Sequence, residues 1–168
     1  MLNVYAVDGK VKLEDVLEVA KSLGGFEALS DTGDGHGCFG GSWYNEETKT
    51  KINIRKNIQF WSFPNILVID LKRFNSRGQK NQILVTFPLE TLDLSEYVIG
   101  YKKDSYKYEL YGVCNHSGGV MGGHYTAYVK NANGKWYHFN DTSVSEVGLV
   151  DSIISPKAYV LFYRRRPT

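Results

Sequence analysis

Residues 65–74, which read Asn-Ile-Leu-Val-Ile-Asp-Leu-Lys-Arg-Phe, constrain the fold of this chain more than any other stretch. The segment begins with a continuous run of apolar residues, without the alternation that marks a strand with one face in water. Such runs are typical of strands that are covered on both faces. The sequence therefore predicts a central β-strand at Asn65–Phe74.

Further strand patterns surround this segment. Lys51–Arg55 alternates between apolar and polar residues, and a weaker strand is predicted around Ile83–Phe87. The remaining predicted strands are 106–115, 124–130, 135–140 and 158–165. A turn at Asn131–Gly134 joins 124–130 to 135–140 as a hairpin. These segments predict a sheet that is mainly antiparallel.

Helical patterns are fewer. Residues 12–23 place apolar side chains at helical spacing and are followed by Gly24 and Gly25, which suit a left-handed carboxy cap. Residues 30–42 are so rich in glycine that we expect a loop, and 89–98 has room for a short helix. The predicted fold class is α+β, with one amino-terminal helix followed by short helices and a mainly antiparallel sheet.

Size and composition fit one globular domain. The chain has 168 residues, of which 42% are hydrophobic and 14% aromatic, including 12 tyrosines, which favours an aromatic-rich β structure. A net charge of +2 does not favour nucleic acid as a partner, and no apolar run reaches the roughly 18 to 20 residues that cross a bilayer. Two cysteines cannot form a disulfide framework and the amino terminus is too polar for a secretory signal, so we expect a soluble cytoplasmic or nuclear protein without membrane contact.

The segment Tyr108–Tyr125 carries the most specific motif. It contains Tyr-x-Leu, a small and an aliphatic residue, His-x-Gly, a short spacer and Gly-His-Tyr. This resembles the histidine box of the ubiquitin-specific proteases, with every fixed position filled. Phe63–Phe74 resembles the central strand of that family, and Trp136–Val144 with Ala158–Tyr163 resembles its closing segments.

The resemblance implies a fold and also implies that the nucleophile lies outside this chain. It implies a papain-like cysteine peptidase half, the palm and fingers, with 1–168 as a single partial catalytic domain. The nucleophile box of the family, Gly-Asn-Thr-Cys before a helix, has no counterpart here. We therefore expect the isolated chain to be inactive, with the nucleophile in a missing amino-terminal half or a separate chain.

His124 is the candidate base, because a cysteine protease needs an imidazole within reach of its thiol and a third group that orients the ring. A lone strand histidine is more often structural, so the assignment depends on the motif. Pairing Lys130 with Lys135 predicts a hairpin register in which His124 lies opposite Asp141, whereas the resemblance assigns the orienting role to Asn140. We expect Asn140 to accept a hydrogen bond from Nδ1, with Asp141 as a second polar partner and a bulge between the two registers. Without the motif, both would be turn formers at a strand end.

The resemblance also implies substrate contacts at His116, Gly122, Gly123 and Tyr125. Glycines just before the base let the backbone of an extended tail approach closely, which suits a ubiquitin tail that ends in two glycines. For His116 a turn histidine that satisfies backbone groups is an equal alternative.

Neither cysteine fits the nucleophile. Gly40 and Gly41 follow Cys38 where a thiolate-stabilising helix would start, and Cys114 is expected to pack in a strand. His36 and Cys38 alone cannot close the tetrahedral zinc site that many family members carry, so we expect no metal and no cofactor.

These features predict a thiol-dependent deubiquitinase that cleaves after the carboxy-terminal glycine of ubiquitin, with ubiquitin or ubiquitinated proteins as partners. The alternative is a non-catalytic ubiquitin-binding or scaffold module derived from such a protease. An unrelated β domain that mimics the motif is a third, weaker interpretation.

Overall fold

The computed structural model describes residues 2–4, 11–12, 40–55 and 60–167. These residues form twelve strands, joined by turns and single-turn 3-10 helices at Ser95–Tyr97, Lys103–Ser105 and Val150–Ile153. The strands are β1 (Leu2–Val4), β2 (Val11–Lys12), β3 (Gly40–Asn45), β4 (Thr50–Arg55), β5 (Ile66–Leu71), β6 (Val85–Thr86), β7 (Leu92–Asp93), β8 (Lys107–Gly119), β9 (Gly122–Lys130), β10 (Trp136–Asn140), β11 (Ser143–Glu146) and β12 (Ala158–Arg165).

Eight of the described strands form one sheet in the order β1-β5-β12-β8-β9-β10-β11, and β7 pairs with the start of β8. Among the described strands of this sheet, β1 and β5 pair in parallel, and all the other pairs are antiparallel. The 13-residue strand β8 lies in the middle, paired with β12 on one edge and β9 on the other. The pairs β2–β6 and β3–β4 form two small separate sheets.

The core lies on one face of the large sheet. Ile69 of β5, Leu161 of β12 and Val113 of β8 are paired in register and almost fully buried. Buried side chains from the strands and from the turns around them complete this layer: Leu67, Leu71, Phe87, Leu92, Leu94, Val98, Leu110, Trp136, Ile153 and Ala158. Two buried tyrosines anchor the chain before β5 and after β6, because Tyr108 donates to the carbonyl oxygen of Pro64 at 2.7 Å and Tyr163 to that of Pro88 at 2.8 Å.

Arg73 fixes the segment after β5 to the start of β12. Its guanidinium is buried and donates to the carbonyl oxygens of Ala158, at 3.0 Å, and Ile83. A charged group buried at this position needs such partners, since an unpaired one would cost several kcal/mol. The arrangement brings the chain past Phe74 and Lys80 beneath the end of β8.

The mainly antiparallel sheet is confirmed, and β12 has the predicted bounds. The central place predicted for β5 is wrong: among the described strands it lies second from the edge, between β1 and β12, and after the exposed Ile66 its side chains alternate between buried and half-buried. β11 was not predicted, and the segment 89–98 contains β7 and a 3-10 turn. Lys12, predicted to begin a helix, lies in β2, and residues 40–42, predicted as loop, begin β3; the rest of the predicted helix lies outside the described residues.

The tip of the β8–β9 hairpin depends on two glycines that face each other. Gly118 pairs with Gly123 and has a left-handed φ of +114°, and a Cβ added to it would lie 2.7 Å from the Gly123 Cα. A Cβ added to Gly123 would overlap the Nε2 atom of His116 and lie 2.5 Å from the Ser117 carbonyl oxygen. Gly122 is different, because a Cβ there meets no atom within 4 Å.

We expect Gly123→Ala to lower the free energy of unfolding by about 1–3 kcal/mol, because the added methyl group is forced into its neighbours. Gly122→Ala, the matched control one residue earlier, should stay within about 0.5 kcal/mol of the wild type. Urea unfolding followed by circular dichroism measures both. Equal losses for the two variants would contradict the packing described for Gly123.

Candidate active site

The β8–β9 hairpin places its two histidines on opposite faces. His116 lies opposite Tyr125, and Ser117 lies opposite His124. Directly paired residues share a face, and consecutive residues alternate. His124 therefore projects from one face of the hairpin, whereas His116 and Tyr125 form part of the other.

His124 is hydrogen-bonded to Asn140 of the neighbouring strand. The His124 Nε2 atom lies 2.6 Å from Asn140 Oδ1, and both side chains are exposed. An amide oxygen only accepts hydrogen bonds, so the ring donates through Nε2 and its Nδ1 atom carries the free lone pair. The expectation that Nδ1 would make this bond is wrong, and the difference matters because Nδ1 is left available to accept a proton.

The register of β9 and β10 explains why Asn140 reaches the ring. The pairs Lys130–Trp136 through Ala127–Phe139 are shifted by one residue from the predicted register, in which Lys130 paired with Lys135. A shift of one residue exchanges the two faces of a strand. Continued by one position, the observed register places Asn140 opposite Thr126. Asn140 is then diagonal to His124 on the same face, and the bulge expected between β9 and β10 is not needed for the two side chains to meet.

Asp141 occupies a turn. Asn140 pairs with Ser143 across the two-residue turn Asp141–Thr142, and Asp141 adopts a left-handed φ of 49°. Aspartate tolerates this conformation better than most residues. The prediction that Asp141 lies opposite His124 is wrong, and within the described residues no hydrogen bond joins the two.

A second polar pair lies beside Asn140 on the same face. Asn115 is 3% exposed, lies opposite Thr126, and donates from Nδ2 to the Thr126 hydroxyl at 3.4 Å. Its Oδ1 atom has no hydrogen-bond partner in the described part of the chain. No local pattern predicts this pair, because only the pairing of β8 with β9 brings Asn115 and Thr126 together on the His124 face.

An aromatic wall covers the opposite face. Tyr125 stacks on His116 with ring centroids 4.6 Å apart, and Phe74 and Tyr159 contact the same imidazole at 5.7 and 5.6 Å. Tyr125 is still 55% exposed, so one side of the wall faces solvent. Phe74 and Tyr159 come from distant parts of the chain, and sequence patterns did not assign them to the site.

His116 is buried beside the ammonium group of Lys80. Its Nζ atom lies 3.0 Å from His116 Nδ1 and also donates to the His116 carbonyl oxygen. Burial, and then the charge of Lys80, lower the pKa of His116 below its ordinary value. The imidazole is therefore neutral near pH 7 and accepts a hydrogen bond at Nδ1 from the Lys80 ammonium.

A cleft of about 400 Å³ opens at the end of this wall. Its lining includes Lys80, His116, Lys157 and the segment Ser117–Gly119. Gly122 leaves open space, whereas the missing side chain of Gly123 is needed for packing against His116. Gly122 lies on the His124 face, outside the lining of the cleft, so an extended peptide can approach that face of the hairpin closely at this position.

Cys114 does not face His124. It pairs with Ala127 on the His116 side of the hairpin, its side chain is half-buried, and burial raises the pKa of its thiol. A raised pKa disfavours the nucleophilic thiolate. Cys38 and His36 lie outside the described residues.

Two absences hold for the described ranges. No three His, Cys, Asp or Glu side chains there come close enough together to bind a metal ion. None of the helices in the same ranges has the length and apolar character to span a bilayer.

We expect the Nε2–H proton of His124 to give a downfield signal in the NMR spectrum of chain labelled with ¹⁵N in its histidines, because its hydrogen bond to Asn140 slows exchange with water. Asn140→Ala should remove the signal and Asp141→Ala should preserve it. The reverse pattern would show that the aspartate orients the ring.

Known proteins with a related sequence support one family assignment. Ubiquitin carboxyl-terminal hydrolase 15 of Rattus norvegicus is 45% identical over 130 residues, which are 75% of this chain and 14% of that protein. Ubiquitin carboxyl-terminal hydrolase 12 of Saccharomyces cerevisiae is 50% identical over 131 residues, or 74% of this chain and 10% of that protein. The chain thus spans about a seventh or less of the length of these curated relatives.

A solved structure shows the same relationship. The SAGA Ubp8/Sgf11/Sus1/Sgf73 DUB module bound to ubiquitin aldehyde contains a chain that matches 99% of this one with a TM-score of 0.73 and 29% identity, over 36% of its own length. The family model described as ubiquitin carboxyl-terminal hydrolase matches residues 21–163. With its sheet, its histidine motif and these relatives, the chain belongs to the ubiquitin carboxyl-terminal hydrolase family.

Proposed function

We propose that this chain supplies the base and the orienting residue of a thiol-dependent deubiquitinase, which hydrolyses the bond after the carboxy-terminal glycine of ubiquitin. The observation that carries the proposal is the 2.6 Å contact between His124 Nε2 and Asn140 Oδ1. It fixes the ring with Nδ1 free, which is the arrangement that a Cys-His-Asn protease needs. The ubiquitin aldehyde bound by the structurally similar DUB module supports the choice of substrate.

The reaction begins with proton transfer. His124 Nδ1 takes the proton of a cysteine thiol supplied by the rest of the catalytic domain or by a separate chain, and the thiolate attacks the carbonyl carbon of the terminal glycine. The imidazolium then protonates the leaving amine as the carbon–nitrogen bond breaks, which leaves a thioester. Water, deprotonated by the same Nδ1, hydrolyses the thioester and restores the thiol.

Asn140 would act through the ring. Its neutral amide holds Nε2–H throughout the cycle and cannot itself take the proton, so Nδ1 remains the atom that exchanges it. The Asn140 oxygen also stabilises the imidazolium that forms in each step. Asp141, at the turn, is not required for this role.

The substrate tail would run along the hairpin. Tyr125 and His116 offer an aromatic wall, and Gly122 leaves space where the tail approaches the base. Gly123 contributes indirectly, because its packing holds His116 in place. We place the working enzyme in the cytoplasm or the nucleus, where ubiquitinated proteins occur.

A non-catalytic ubiquitin-binding module is the second candidate. The half-exposed Tyr125 and the cleft beside His116 offer a peptide a surface to bind whether or not a thiol reaches His124. The two candidates share the wall and the cleft. They differ only in whether a thiol reaches His124 Nδ1.

We expect the chain, joined to a segment that carries the nucleophilic cysteine, to release the fluorophore from ubiquitin linked to aminomethylcoumarin. His124→Ala should lower kcat by about 10²–10⁴-fold, because general base catalysis contributes roughly that much. Asn140→Ala should lower kcat by a smaller factor with little change in KM, and Asp141→Ala should leave both near their wild-type values.

Ubiquitin binding without hydrolysis in the joined form would favour the module. Full activity of His124→Ala would remove His124 as the base. Circular dichroism of each variant shows whether a loss of activity reflects unfolding.

A further inference from the structure

A second cleft lies at the far end of the sheet from His124. It has a volume of about 290 Å³ and is lined by Lys102, Arg165, Arg166, Asn65, Ser105 and Pro167. Arg165 pairs with Tyr108 near the start of β8, whereas His124 pairs with Ser117 near its end. Nine residues of strand separate these positions, which is about 30 Å. The cleft is therefore separate from the catalytic face.

Three other cations in the described part of this sheet and its turns have carboxylate partners. Arg164, which directly precedes Arg165 in β12, forms a salt bridge with Glu109 at 2.6 Å, and Lys135 forms one with Glu146 at 2.9 Å. Lys107 lies 3.7 Å from Asp93. In the described part of the chain, Lys102, Arg165 and Arg166 have no carboxylate within ion-pair distance. Three positive charges thus converge without a partner on one concave surface.

The two arginines are held in place by uncharged groups. Arg165 lies over the ring of the buried Tyr106, with 5.3 Å between the guanidinium carbon and the ring centroid. Arg166 donates from Nη2 to the Glu90 carbonyl oxygen at 3.0 Å. These contacts reduce the entropy that the side chains would lose on binding, and they leave the positive charges uncompensated.

Lys102 enters the cleft from a strained turn. Its φ of 56° is left-handed, which is unfavourable for a lysine, and Ser105 holds it by donating its amide and its hydroxyl to the Lys102 carbonyl oxygen at 3.0 and 2.7 Å. Strain of this kind persists only where surrounding contacts enforce it. The turn therefore fixes the backbone from which the Lys102 side chain extends.

An exposed aromatic pair adjoins the same turn. Tyr101, which precedes Lys102, is 82% exposed and meets the ring of Trp61 edge-on at 5.6 Å. Trp61 is itself 59% exposed. Large aromatic side chains left in solvent beside unpaired cations are typical of protein-binding surfaces, in which tryptophan, tyrosine and arginine contribute most of the affinity.

We propose that this surface docks a short acidic segment of a protein partner. Its carboxylates would bind Lys102, Arg165 and Arg166, and an adjacent apolar side chain would pack on Trp61 and Tyr101. Arginine guanidiniums bind carboxylates through two parallel hydrogen bonds, so the cleft selects planar anions as well as negative charge.

The surroundings favour a short segment over a nucleic acid. Exposed carboxylates lie next to the cleft, at Glu90, whose carbonyl oxygen binds Arg166, and at Asp104 in the turn that contains Ser105. A long polyanion that entered the cleft would continue onto these groups and be repelled, whereas a short peptide would not reach them. A net charge of only +2 for the chain adds no general attraction for nucleic acid.

The test measures binding of a fluorescein-labelled, glutamate-rich peptide with a central Phe-Leu pair to the full chain by fluorescence anisotropy. The same peptide with glutamine in place of glutamate, and a single-stranded RNA of equal length, serve as comparison probes. We expect binding of the acidic peptide that weakens with salt, and at least tenfold weaker binding of the glutamine peptide and the RNA.

The variants locate the site. Lys102→Gln combined with Arg166→Gln should weaken peptide binding at least tenfold, Lys102→Gln alone should weaken it severalfold, and Trp61→Ala should also weaken it. Lys135→Gln, which removes one charge from a paired lysine on another turn, should leave binding within about twofold. Lys102→Gln lies on an exposed turn, so it tests the site even if the double variant unfolds.

Three results would overturn the proposal: no binding of the acidic peptide to the folded chain, an equal loss with Lys135→Gln, or tighter binding of the RNA. None of them bears on ubiquitin hydrolysis, which depends on the other end of the sheet.

Discussion

The pairing of β8 with its two neighbours is the constraint on which the rest of the structure depends. This strand contributes buried side chains to the core at its beginning and carries the histidine motif at its end. Its register with β12 aligns Val113 with Leu161 in the core, and its register with β9 sets which side of the hairpin each motif residue faces. Because the side-chain period of a strand is two, one residue of slip between β8 and β9 would move His116 onto the His124 face and separate it from Tyr125.

The same sensitivity explains what could be predicted from the sequence. Apolar runs and alternation predicted β5, β8, β9, β10 and β12, since each pattern is local. Short strands such as β7 and β11 have little pattern of their own and form because a neighbour offers free hydrogen-bonding groups. The place of β5 within the sheet was not predictable from its apolar run, because the order of strands depends on distant pairings.

The candidate site likewise combines features that a local sequence pattern predicts with features that depend on strand pairing. The motif identified His124, His116 and Asn140, but the register deduced from the turn Asn131–Gly134 was one residue off. The loop between β9 and β10 is closed by the Asn131 amide, which donates to the Lys135 carbonyl oxygen, so Lys135 belongs to the loop and Trp136 begins the strand. That small difference decides which side chain reaches the imidazole. The contacts of Phe74, Lys80 and Tyr159 with His116 join residues far apart in sequence, and no local pattern reveals them.

The separation of the two histidines onto opposite faces of one hairpin has a mechanical consequence. If the hairpin twists about its long axis, the imidazole at 124 and the aromatic wall at 116 and 125 move in opposite directions. A scissile bond held by the wall would then shift relative to the base by the sum of both displacements, and catalytic geometry tolerates only about 0.5 Å. Torsional stiffness of this two-stranded ribbon, set by close glycine packing at its tip and by the Lys80 contacts with His116 nearby, is thus a quantity that sequence variation can change without altering His124 or Asn140.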